Sequence, residues 1–88
     1  MVERPYTEKQ ITSKSYLRTF LIDTSEEELK WHWDEEDRII FSVEETDWLF
    51  QFDNKLPQSM NSKIFIPKGQ LHRIIKGSDD LLINVTLL

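Results

Sequence analysis

Along this chain the apolar residues recur every second position, in short runs divided by turn residues. On a strand, successive side chains point to opposite faces, so this alternation predicts half-buried β-strands. Residues 15–22 (SYLRTFLI) form one such run. In residues 29–34, Leu29, Trp31 and Trp33 share one face, and Lys30, His32 and Asp34 share the other. Residues 38–44 (RIIFSVE) follow. Residues 48–52 (WLFQF) set Trp48, Phe50 and Phe52 on one side as core. Residues 63–66, 71–75 and 80–88 (DLLINVTLL) complete the set.

Turn chemistry lies between these runs, at Asp23-Thr24-Ser25, Glu45-Thr46-Asp47, residues 53–57, Pro67-Lys68-Gly69 and residues 76–79. Ser25 and Glu28 match a helix-capping pattern, but period two resumes too soon for a real helix. The expectation is an all-β domain of seven or eight short strands over residues 15–88, a barrel or sandwich. Residues 1–14 are polar and hold Pro5, which predicts an arm or a loosely held edge strand.

Composition narrows the function. With 88 residues there is room for one domain and a marginal core. The 39% hydrophobic and 11% aromatic content is that of a folded protein. The net charge of −5 and the absence of a basic stripe argue against nucleic acid and anionic membranes as partners. No cysteine means no disulfide and no thiolate metal site. No apolar run is long enough for a signal peptide or a transmembrane helix, so a cytoplasmic location is expected. Asn84-Val85-Thr86 matches a glycosylation sequon, but inside an apolar strand the match is read as accidental. Two glycines cannot build a phosphate loop, and no G-x-S-x-G elbow is present, so nucleotide hydrolysis and serine catalysis are not expected.

The residues with chemistry cluster between Trp31 and Arg73. His32 and Asp34 are one residue apart on an expected strand and so face the same way. His72, the second of the two histidines, follows Pro67-x-Gly69. A His-x-Asp pair with a distant His is the donor set of a 2-His-1-carboxylate triad, suited to divalent Fe, Mn, Ni or Zn. Glu36 would be a fourth ligand if the acidic corner 34–37 folds inward. In the metal-free alternative, Arg38 pairs with Asp34. Arg38 also has two readings of its own: holding an anionic ligand, or forming an ion pair with Glu36 or Asp34. Trp31 and Trp33 are expected to point away from His32, toward a stacked ligand or a subunit interface. Arg73 should face outward, and the acidic stretches 26–28 and 35–37 are expected to be solvated. Ile39, Phe41 and Val43 lie opposite Ile40 on one strand, and a small barrel apolar on both sides predicts a homodimer.

Ile66-Pro67-Lys68-Gly69-Gln70-Leu71-His72 resembles the second cupin motif, P-x-G-x-x-H. Residues 31–38 resemble the first, in which H-x-H is followed by Glu; His32 takes the first His position, Asp34 the second, and Arg38 that of the Glu. The family's motif glycines fall near Glu26, Glu45 and Asn61, and its late Asn near Lys76. The two motifs cover about half of the chain. The resemblance implies a small double-stranded β-helix, an RmlC-like jelly roll, with a metal in the barrel and no organic cofactor. It points to a metal-binding cupin, an oxygenase or isomerase acting on a small anionic molecule. The alternative is a metal-free barrel for small-ligand binding or assembly.

Overall fold

The computed structural model describes residues 6–25 and 29–88. Eight strands run in the order β1 (Thr7–Gln10), β2 (Ser15–Phe20), β3 (Arg38–Ser42), β4 (Leu49–Phe52), β5 (Gln58–Ser59), β6 (Ile64–Ile66), β7 (His72–Ile75) and β8 (Leu81–Leu87). They form a five-stranded sheet of order β1-β2-β8-β3-β6 and a three-stranded sheet of order β5-β4-β7. Every pairing is antiparallel. Among the described residues there is no helix, and so none long and apolar enough to cross a membrane.

The alternation read from the sequence sets the core. On β8, Leu81, Ile83 and Val85 are buried, while Leu82, Asn84 and Thr86 face the other way. Ile40, Ile64 and Ile66 join them from β3 and β6, and Phe50 from β4. The accidental sequon lies here: Asn84 is central in the sheet, paired with Leu17 and Phe41 and accepting from the Thr86 hydroxyl. Trp48 and Phe50 are fully buried as expected, and Phe52 packs against them partly exposed. The Trp48 indole N–H donates to the Asp79 carbonyl at 2.5 Å, which satisfies its one polar group. Gly77 lies against the Asp47 carboxylate and the Trp48 backbone, where a side chain has no room. Ile39, Phe41 and Val43 face outward, with Val43 47% and the neighbouring Phe65 51% exposed. The outer face of the larger sheet is therefore apolar along β3 and β6.

Of the two readings of the N-terminal residues, the edge strand is the one seen: Thr7–Gln10 pairs with β2 in register from Thr7↔Thr19 to Gln10↔Tyr16. One expectation is corrected: residues 29–34 are not a strand. A strand needs a neighbour to take its backbone groups in succession, and here only His32 is paired in a β-bridge, with His72. The capping pattern and acidic stretch at 26–28 lie outside the described residues.

Candidate metal centre

The two motif segments are joined by backbone before any side chain is considered. His32 N–H donates to the His72 carbonyl and His72 N–H to that of His32, each at 2.9 Å. Gly69 N–H donates to the Asp34 carbonyl at 2.8 Å, and Lys68 N–H to the Asp37 carboxylate at 2.7 Å. The Pro67–Gln70 turn that delivers His72 is therefore pinned onto the acidic corner that carries Asp34. Its glycine has φ +78°, a conformation that other residues adopt only with strain. Ligand atoms of His32, Asp34 and His72 all lie within 4.8 Å of one another.

Each imidazole is held by a main-chain carbonyl. His72 Nδ1 lies 2.8 Å from the Gln70 carbonyl, and His32 Nδ1 lies 3.0 Å from that of Lys30. A carbonyl can only accept, so Nδ1 carries the proton in both rings. In the neutral ring, Nε2 is then a bare acceptor. His72 Nε2 nevertheless faces Asp34 Oδ2 at 3.3 Å. Either a proton on Nε2, which would make His72 a donor to Asp34, or a metal ion would join the two atoms. Two ligand atoms at adjacent corners of an ion with ~2.1 Å bonds are roughly 3 Å apart. The donor set thus fits a metal ion.

Protonation states agree with that use. Burial pushes the Asp34 carboxyl up, but its bond to His72 and the charge of Arg38 outweigh this and hold it below the ordinary carboxylate range. Partial burial lowers the pKa of His32 against an opposing bond to Lys30, and the nearby His72 lowers it further. Metal ligands must be deprotonated, and both residues are biased that way. His72 is 4% exposed, with Phe50 stacked on it at 5.4 Å and the His32 ring edge-on at 4.3 Å. His32 itself is exposed at the mouth.

Arg38 faces the cavity, as one reading of the sequence had it, yet it is engaged there. Its Nε and Nη2 donate to Glu36 Oε1 at 3.0 and 2.5 Å, and Nη2 lies 3.4 Å from Asp34 Oδ1. Burial opposes its charge, but Glu36 and Asp34 outweigh that and raise its pKa. Arg38 therefore orients the carboxylate oxygen opposite the one that faces His72. Glu36 is turned to Arg38 and stands outside the ligand group.

The triad opens into a cavity of about 370 Å³, at the lower end of small-molecule sites. Its walls include Tyr6, Arg18 and Lys30, none of which was singled out as a ligand contact, and Trp31. The signal for Arg18 was present: it shares a face of β2 with Tyr16 and Phe20, and Phe20 is core. Trp31 departs from the expectation of an outward face. Without a strand at 29–34 the alternation does not govern it, and it lines the mouth with His32. The Arg73 guanidinium stacks on its ring at 4.6 Å. Trp33, 57% exposed, does point away.

No protein-family model matches the sequence, and no curated protein does. Solved structures do match. The crystal structures of the DMSP lyases RdDddP and RnDddQII include a match with TM-score 0.70 at 16% identity, over 83% of this chain and 36% of that one. The Fe(II) form of HppE matches with TM-score 0.62 at 14% identity, over 84% and 41%. A cupin-2 domain protein from Shewanella frigidimarina matches with TM-score 0.65 at 12% identity, over 99% and 85%. The chain has the cupin fold. It spans well under half of the DMSP lyase and HppE chains but most of the Shewanella cupin. At these identities the likeness is one of architecture.

Proposed function

We propose that this cupin holds one divalent first-row metal ion between His32, Asp34 and His72, and takes a small anionic molecule into the cavity beside it. The observation that carries the reading is the pair of facing acceptors, His72 Nε2 and Asp34 Oδ2. The Fe(II) form of HppE, a protein of the same fold, supports it. Such an ion would supply Lewis acidity and open coordination positions, the common requirement of oxygenase and isomerase chemistry. The chain's own part is fixed by geometry. The Gln70 and Lys30 carbonyls set the imidazole tautomers, and Arg38 with Glu36 orients the Asp34 carboxylate.

The test is metal content of the untagged protein by inductively coupled plasma mass spectrometry, after separate incubation with Fe(II), Mn(II), Ni(II) and Zn(II), beside a His72→Ala variant. Near-stoichiometric metal in the native chain and a loss of more than about 100-fold in affinity in the variant is the expected result. No metal with any ion would overturn the reading.

One observation favours a second reading. Arg38 and a protonated His72 would by themselves satisfy both oxygens of Asp34. A metal-free barrel of that kind would show an imidazolium at His72 by nitrogen NMR near neutral pH, whereas the metal reading expects Nε2 to be unprotonated in the loaded protein.

A further inference from the structure

We propose that Arg18, on β2, is the anion anchor of the cavity and that the ligand is a short organic acid. The proposal deepens the metal reading, since the ion would supply the second point of attachment, but the anchor itself consists only of protein groups.

Arg18 is half-buried and fixed without being used up. Its Nε donates to Glu8 Oε1 at 2.8 Å and its Nη2 to the Tyr16 hydroxyl at 3.1 Å. The Tyr6 and Tyr16 rings lie 4.3 and 4.9 Å from the guanidinium carbon. The guanidinium, on a side chain only 15% exposed, is held on two edges and against two aromatic rings. Nη1 donates to no described residue. No buried side-chain nitrogen or oxygen among the described residues lacks a partner, so Nη1 is open to solvent rather than sealed. Arg18 also lines the cavity that holds the triad. A positioned guanidinium with an unpaired nitrogen, on a residue that lines a ligand cavity, has the chemistry to hold a carboxylate or phosphate. Arg38 is less suited, because its charge is divided between two carboxylates while Arg18 faces one carboxylate and a neutral phenol.

Charge and lining name the ligand class. Among the described residues, the cavity wall carries Arg18, Lys30 and Arg38 against the carboxylate of Asp34. Glu8 and Glu36 behind the two arginines bring the balance among the described residues to three cations and three carboxylates. A bound dication would leave two positive charges, in a chain whose net charge is −5. A dianion would neutralise them. The rest of the wall is apolar, with Phe20, Ile40, Phe50 and Ile83 among its residues, and it holds no Ser, Thr, Asn or Gln. A polyhydroxylated sugar would leave its hydroxyls unpaired there, whereas the carbon chain of a short acid would not.

The probes are malonate, its uncharged diamide malonamide, and inorganic phosphate. Each is titrated calorimetrically into the full chain, metal-free and Mn(II)-loaded, beside Arg18→Gln. Native protein is expected to prefer malonate to malonamide. Arg18→Gln should weaken malonate by about 10- to 100-fold and erase the preference, with Mn(II) affinity kept within about threefold. A merely structural role would weaken both probes alike. Arg18→Lys keeps the charge without the fork, and it serves if Arg18→Gln does not fold; it should lose about tenfold. Equal malonate affinity in native and variant protein, or equal affinity for malonate and its diamide, overturns the anchor. Arg18-dependent phosphate binding with malonate refused overturns the organic-acid assignment. The two proposals fail separately: Arg18-dependent malonate binding without Mn(II) uptake keeps the anchor and removes the metal, and stoichiometric Mn(II) with Arg18-independent malonate does the reverse.

Discussion

The two ends of this barrel are built from the same strands and do opposite things. Around the turns that carry Trp48 and Gly77, Trp48, Met60 and Leu81 are fully buried and line no part of the triad's cavity. The hollow there is an open polar one of about 540 Å³, with Glu44, Glu45, Asp47 and Ser78 in its lining; this is the solid end. Around the Pro67–Gln70 turn and the acidic corner, the interior is hollow and lined with charge. Polar groups at the solid end are paired locally, as in the Trp48–Asp79 bond and the Asp47 carboxylate that accepts from the Ser78 N–H and hydroxyl. At the hollow end, His72 Nε2 and Asp34 Oδ2 face each other at 3.3 Å. The contrast teaches that a small domain can confine stability to one end of its core and leave the other free for a ligand. Such a division has consequences that can be measured.

The largest effect is expected at the solid end. Trp48→Ala removes the biggest fully buried side chain and should cost about 3–5 kcal/mol in a urea titration. For a domain this small that is a large part of its stability. If the ends are as separate as they look, whatever folded fraction survives should keep its metal affinity. A parallel loss of metal affinity would mean the two ends are one unit.

Gly69→Ala should act on the hollow end. No atom lies within 4 Å of the added methyl, so the cost arises only from φ +78° and is about 1 kcal/mol. Because that turn positions His72, metal affinity should fall while the core stays packed, as read by near-ultraviolet circular dichroism. Unchanged affinity would show that the His32–His72 backbone bridge alone holds the site.

The smallest effect is one of pH. Two bonds from Ser78 lower the Asp47 pKa below its ordinary 3.8. Its folded-state value being depressed, the stabilisation is fully present above the unfolded value and is lost as pH falls through the lowered one. The urea midpoints of native protein and Asp47→Asn should differ slightly near neutral pH and converge at about pH 2. A difference that survives at low pH would trace to shape rather than charge.

Much of this was legible in the chain. Alternation picked out Trp48, Phe50 and Phe52 as the core side of residues 48–52 and set Ile39, Phe41 and Val43 opposite Ile40, as the structure has them, because β3 and β4 have partners that take their backbone groups. The same alternation failed at residues 29–34, where only His32 is bridged, and with it went the prediction for Trp31. His32, Asp34 and His72 were legible by spacing and motif, and the structure brings them together. Arg18 was passed over because a single arginine in an apolar strand carries no motif; the signal was its shared face with Phe20.

What the sequence by itself determined is therefore the class of fold, most of its strands and the three residues of the candidate metal centre. Period two and turn chemistry act over neighbouring residues, and a few side-chain types carry the chemistry. Only the tertiary structure decided which partners each polar group meets. Glu36 turned to Arg38, Glu8 turned to Arg18, and two carbonyls fixed the imidazole tautomers. Each of these depends on distances between strands, and ion pairs and hydrogen bonds fall off within a few ångströms.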